Sequence, residues 1–237
     1  MKSSRIYVFL FSFFGIVSLV NAQKPDKTLW YKEAGKDFNS SLVLGNGRMG
    51  ASILGGAVDD KIYLNDATLW SGEPVDANKY AGMYKHLAPV REALAKENYA
   101  SANGLTKKLQ GKDQQSYMAL GTLLLHFTHD SVAKNYYREL NLDSAVSKVR
   151  YTVNNVNFTR EYFVSNPAKV MIIRLKSDKK SALNFTADFS SFMTFTKQAK
   201  GNQLSIDGYA PYYQKKVTAA VPDSCLFDPN RGTRFST

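Results

Sequence analysis

Between residues 28 and 64 the apolar positions come in short runs, broken every few residues by Gly, Asn and Asp. That punctuation is the pattern of strands and tight turns. Asn46-Gly47 tolerates positive φ, so the chain can reverse between Leu42-Val43-Leu44 and Ala51-Ser52-Ile53-Leu54, and Gly55-Gly56 serves the next corner. From Lys79 the period changes. Leu87, Val90, Arg91, Leu94 and Tyr99 fall near helical spacing, and Pro89 suits a first turn. The spacing predicts one or two helices within 89–109, broken near Asn103-Gly104. After the polar loop 110–113, strands resume. Leu123, Leu125 and Phe127 share one face of 120–127. Val149, Tyr151 and Val153 alternate into Asn154-Asn155, and Val156, Phe158, Tyr162 and Val164 continue beyond it. Period two on both sides of a two-residue turn fixes a hairpin register. Runs at 169–176, 183–189 and 204–206 add strands, with Pro167 and Gly201-Asn202 as corners. The whole predicts a mainly β chain, one large antiparallel β-sandwich with a short helical insert.

The first residues read differently. Lys2 and Arg5 precede an almost purely apolar stretch, 6–20, and Val20-Asn21-Ala22 ends in small residues suited to signal peptidase. Residues 1–22 are expected to be a signal peptide, too short in its apolar part to span a bilayer, with 23–237 as the exported domain. Export implies a periplasmic or extracellular location and no membrane attachment after cleavage.

The net charge is +11, and removing Lys2 and Arg5 leaves +9. The remaining Lys and Arg are scattered; Lys107-Lys108, Lys179-Lys180 and Lys215-Lys216 are isolated pairs, so no basic stripe for nucleic acid is visible. Cys225 is the only cysteine, which excludes an internal disulfide and Cys-x-x-Cys zinc sites. His126-x-x-His129 reads as a surface pair at a strand end, and no metal or cofactor is expected. Three sequons, at Asn39, Asn157 and Asn184, matter only in a eukaryotic secretory route.

Gly45-x-Gly47-x-x-Gly50 imitates a dinucleotide fingerprint, with Asp66 at about the expected distance for the ribose acid. The fingerprint needs its third glycine to open a helix that receives a pyrophosphate, and residues 51–56 read as strand and turn. A nucleotide-binding enzyme therefore rests on the glycine match alone.

Taken in order, Leu29-Trp30-Tyr31, Leu44-Gly45-Asn46-Gly47-Arg48-Met49-Gly50, Ile62-Tyr63-Leu64-Asn65 and Thr68-Leu69-Trp70-Ser71-Gly72 resemble the N-terminal domain of glycoside hydrolase family 95, the α-L-fucosidases. Residues 137–145 and Phe158-Thr159-Arg160-Glu161 extend the resemblance, which runs from about residue 28 to the end of the chain. It implies a supersandwich ahead of an (α/α)6 barrel that carries the catalytic acid, base and activating asparagines. This chain stops inside what resembles the sandwich. The acids that it does contain have structural explanations: Asp59-Asp60 reads as a turn, Glu139 and Asp143 as a helical turn or strand corner, and Asp223 and Asp228 border prolines. No two of them are singled out as the carboxylate pair of a glycosidase. No catalytic residue is assigned, and the chain alone is expected to be inactive, a fragment or truncated product whose partners are a fucosylated glycan or oligosaccharide and the missing C-terminal catalytic barrel.

One polar stretch has the residue types for sugar contact. Asn65, Asp66, Trp70 and Ser71 form a polar loop ending in an indole, a combination suited to a pyranose ring and its hydroxyls. The structural alternative has Trp70 in the core and Asn65 and Asp66 capping a turn. Arg48 is the fifth candidate, either paired with a carboxylate or facing solvent. The family usually reads Asn-Glu-Asp-Thr-Leu-Trp-Ser-Gly-Gly-Pro here, and this chain departs from it at Asp66, Ala67 and Glu73. It departs again at 117–123, where Met118, Ala119 and Thr122 replace Gln, Pro and Asp. A competing function is a secreted, non-catalytic carbohydrate-binding module built on Tyr209, Tyr212 and Tyr213.

Overall fold

The computed structural model describes residues 27–74, 76, 78, 81–111, 116–214 and 225–237. The expected signal peptide and Lys215-Lys216 lie outside the described residues. Strands β1 (Thr28–Tyr31), β2 (Leu42–Gly45), β3 (Met49–Ile53) and β4 (Asp59–Asp66) precede two short helices, α1 (Leu87–Ala95) and α2 (Tyr99–Thr106). Then come β5 (Gly121–Phe127), β6 (Lys134–Asn141), β7 (Val146–Val153), β8 (Val156–Ser165), β9 (Val170–Ser177) and β10 (Phe185–Ser190). The described chain ends with β11 (Thr194–Lys200), β12 (Gln203–Tyr209), β13 (Tyr213–Gln214), β14 (Cys225–Leu226) and β15 (Arg234–Ser236).

Two five-stranded antiparallel sheets, ordered β1-β6-β7-β8-β9 and β10-β5-β4-β3-β2, share one core. Alternation decides which side chains enter it. Leu42, Leu44, Ala51, Ile53, Ile62, Leu125 and Phe127 come from one sheet, and Leu140, Val149, Tyr151, Val153, Phe158 and Tyr162 from the other, all buried. This is the mainly β sandwich that the pattern predicts. The Asn154-Asn155 hairpin has φ of 50° and 59° at its two turn residues, the left-handed pair that a tight β7–β8 reversal needs. A three-stranded sheet, β11-β12-β15, and the β13-β14 ribbon complete the described strands. Leu69, Met193 and Ala210 form a second small core, flanked by Met118, Leu120, Phe227 and Phe235, that joins the segment after β4 to the three-stranded sheet.

Three expectations need correction. The helical insert breaks at 96–98: Glu97 takes a left-handed conformation with φ of 54°, and the Asn98 side chain accepts from the Ser101 amide at 3.0 Å to start α2. Asn103-Gly104 lies inside α2. Asp59 and Asp60 are not in a turn but open β4. Only His126 is superficial, 2.6 Å from an Asp59 oxygen, whereas His129 is half-buried, stacked on Phe127 and 2.9 Å from the Tyr151 hydroxyl. β11 carries no alternation that marks it, because nearly all its residues are exposed.

Asp60 is the most consequential of these. It is fully buried beside Arg160, whose side chain is 2 % exposed, at 3.3 Å. The Gly55 amide donates to its other oxygen at 2.9 Å, and the Tyr162 hydroxyl donates to the oxygen that faces Arg160. Arg160 also donates to the carbonyls of Gly56, at 2.6 Å, and Ala57, and lies 3.8 Å over the Phe127 ring. Burial pushes the Asp60 carboxyl up, against the opposing pull of Arg160 and the hydrogen bonds of Tyr162 and Gly55. One buried ion pair thus fastens the 55–58 loop to the opposite sheet. Gly55, at φ of 74°, makes the approach possible: a Cβ there would sit 2.9 Å from the Tyr136 hydroxyl and 3.0 Å from Val149.

Candidate functional site

The β2–β3 turn and the end of β4 build one surface patch. Gly47, at φ of 90°, closes the turn, and the Asn46 side chain locks it by accepting from the amides of Arg48 (3.1 Å) and Met49 (2.8 Å). The same side chain donates to the Ser165 carbonyl at 3.1 Å, tying the hairpin to the end of β8 in the other sheet. Pairing of Met49 with Asp66 and Gly50 with Asn65 then brings Arg48 beside the 65–70 loop. Gly50 continues a strand and opens no helix, which removes the basis of the nucleotide reading.

Arg48 Nε donates to Asp66 Oδ2 at 3.1 Å, through one nitrogen and not as a two-pronged pair. Asp66 Oδ1 accepts from the Thr68 amide (2.9 Å) and hydroxyl (2.6 Å), so this acid does cap the turn. Partial desolvation raises its pKa, yet the Thr68 and Arg48 hydrogen bonds outweigh it and hold the carboxyl below its ordinary value. Asn65 Oδ1 accepts from the Tyr117 hydroxyl. Trp70 is not in the core. It is 44 % exposed, its indole N–H donates to the Ala67 carbonyl at 3.0 Å, and its ring meets Tyr117 edge-on at 6.4 Å. Leu69 is the residue that turns inward.

Ser71 stands apart from the other four. It is buried, and its hydroxyl both donates to the Ser116 carbonyl (3.1 Å) and accepts from the Ser116 amide (2.9 Å). It anchors the loop and does not face the patch. Tyr117, which is not among the five sequence candidates, takes its place by bridging to Trp70 as an isolated β-pair. Its only signal was position, just ahead of the divergent residues 118–122. Glu73, one of the departures from the family pattern, is held by Arg231 at 2.5 and 2.8 Å.

The patch therefore presents an indole, an amide, a phenol and a guanidinium, with its one carboxylate fully engaged. It can stack on a ring and donate to hydroxyls, but it offers no unpaired base. Tyr209, Tyr212 and Tyr213 do not form a common platform: Tyr209 is half-buried with its ring edge-on to Phe227, and Arg231 lies 3.7 Å over the Tyr212 ring. Among the described residues no group of three or more His, Cys, Asp or Glu is placed to hold a metal ion, and no helix is long and apolar enough to cross a membrane.

A family model described as "Glycosyl hydrolase family 65, N-terminal domain" matches residues 29–236. Alpha-L-fucosidase 2 of Arabidopsis thaliana is 32% identical over 212 residues, which cover 85% of this chain and 25% of that protein. Probable alpha-fucosidase A of Aspergillus niger is 28% identical over 213 residues, 84% of this chain and 27% of that protein. The chain thus spans about a quarter of the length of the curated relatives that it matches. The matching model carries the number 65 where the resemblance pointed to 95; both descriptions meet at the N-terminal domain of a glycoside hydrolase. The β-sandwich and these matches together show that the chain belongs to the family of glycosyl hydrolase family 65 N-terminal domains and is related to proteins named α-fucosidases.

Proposed function

We propose that this chain is the N-terminal sandwich of an exported family 95-type α-L-fucosidase, a hydrolase that removes terminal fucose from glycans. The catalytic carboxylates lie outside this chain. The observation that carries the reading is the alignment itself: two relatives named α-fucosidases match along most of this chain, but over only about a quarter of their own length. The chemistry of the patch agrees, since its only acid is tied down by Thr68 and Arg48 and so is unsuited to protonate a leaving group or activate water. In this reading Trp70 gives the sugar a stacking face, Arg48 and Asn65 donate to its hydroxyls, and Asp66 orients Arg48. Ser71 holds the loop from behind.

The chain has two tryptophans, Trp30 and Trp70, so indole N–H resonances give a direct test. Titrating the 237-residue chain with L-fucose at millimolar concentrations should move the Trp70 indole signal and leave that of Trp30. Arg48→Ala should weaken the response several-fold. A fucose response at neither indole, or one confined to Trp30, contradicts the assignment of the patch.

A further inference from the structure

The three-stranded sheet carries a second feature that the patch at Trp70 does not use. Register puts Thr194, Tyr209 and Arg234 in one row across the strands and Thr196, Asp207 and Ser236 in the next. Because side chains alternate, all six point to the same face. The intervening row, Phe195, Gly208 and Phe235, points the other way: Phe195 packs edge-on against Phe189, and Phe235 flanks the small core. The outward face lines an open groove of about 500 Å³, to which Phe195, Gly208 and Phe235 of the intervening row and Pro229 also contribute. The groove has room for a sugar of one to two rings.

Its two charges are placed in an unusual way. Asp207 and Arg234 are exposed and lie diagonally across β12 and β15, a relation that holds such neighbours roughly 7–8 Å apart. They form no ion pair with each other. Among the described residues nothing takes the Asp207 carboxylate, and Arg234 spends one nitrogen on the Pro229 carbonyl at 2.6 Å, leaving the rest of its fork open. An acceptor and a planar donor held apart, with the hydroxyls of Thr194 and Ser236 beside them and that of Thr196 donating to the Asp207 carbonyl, match the needs of a neutral sugar. Each ring hydroxyl both donates and accepts, so a carboxylate and a guanidinium can each clasp adjacent hydroxyls, with the half-buried Tyr209, packed edge-on against Phe227, as one wall of the groove.

We propose that this groove is a second carbohydrate site, for neutral pyranosides of one to two rings, distinct from the patch at Trp70. It is a binding site and not a catalytic one, because its single carboxylate has no partner acid across the groove. The site is tested by titrating the 237-residue chain with cellobiose, lactose and 2′-fucosyllactose while following backbone amides by NMR. At least one of the three should move the amides of 194–196, 207–209 and 234–236 at millimolar concentration. Asp207→Ala and Arg234→Ala should each weaken that response about tenfold or more, the loss expected for hydrogen bonds to a charged group. Both variants should melt within a degree or two of the parent, since exposed substitutions of this kind cost little stability. Trp70→Ala should leave the groove response intact, so failure of the fucose patch and failure of the groove are separable. No shift at these amides with any of the three sugars overturns the proposal. So does binding that survives both groove substitutions, or a response to glucuronate with none to the neutral sugars.

Discussion

Arg160 is a charge at a core position. Along β8 the inward positions run Val156, Phe158, Arg160, Tyr162, and the apolar members of that series were legible from alternation alone. The same period places Arg160 in the core, and that was the available signal that a carboxylate must meet it from the other sheet. What the sequence could not supply was the identity of the acid, because Asp60 is 100 residues away and its neighbours Gly55-Gly56 and Asp59 look like a solvated turn. Asp60→Asn leaves a buried guanidinium uncompensated and should cost about 3 kcal/mol or more in urea unfolding at neutral pH. A loss below about 1 kcal/mol would show that the pair does not fasten the 55–58 loop as described. Asp66 makes a separate, pH-dependent contribution. Its folded-state pKa is below the ordinary 3.8, so its stabilisation is complete above that value and is lost as pH falls through the depressed folded value. Asp66→Ala should therefore cost about 1 kcal/mol near neutrality, with the gap to the parent closing in strong acid. Thermal melts of both proteins across the acid range check the sign; a gap that widens on acidification contradicts it.

Elements whose shape is set locally were the readable ones. The β7–β8 hairpin needed only alternation and two residues that accept positive φ, and Asn46-Gly47 needed no more. The helical insert shows where that logic fails. Asn103-Gly104 looked like the break because both are poor helix formers, but α2 absorbs them, and the chain breaks at Glu97 instead. There the Asn98 cap supplies a start for α2 that outweighs an unfavourable left-handed Glu. Glu97→Gly should consequently stabilise the protein by about 0.5–1 kcal/mol, because glycine takes this conformation without strain. If the substitution destabilises the chain in thermal melts, the left-handed assignment at 97 is wrong. The candidate site was partly legible for the same reason: Arg48, Asn65, Asp66 and Trp70 lie on one turn and one strand end. Tyr117 was not, because a lone bridge across 47 residues leaves no periodic trace. Ser71 was misjudged, since nothing local distinguishes a loop hydroxyl that faces out from one that pins the loop to Ser116.

For the whole molecule, the two sheets share a core and the small core beneath Leu69 couples the Trp70 loop to the three-stranded sheet. The patch at Trp70 and the groove at Asp207, the two sites proposed to take sugars, thus sit on one continuous scaffold, and neither has a second acid. The absence of a second acid at either site agrees with the proposed reading, in which the catalytic carboxylates lie outside this chain, and with its match to about a quarter of the length of proteins named α-fucosidases. The most direct test is a turnover assay: the purified 237-residue chain, shown by circular dichroism to be folded, incubated with a chromogenic α-L-fucoside. A chain without the catalytic carboxylates releases no chromophore above the uncatalysed rate. Turnover that co-purifies with the chain and persists through successive columns would contradict it and place the catalytic carboxylates within these residues.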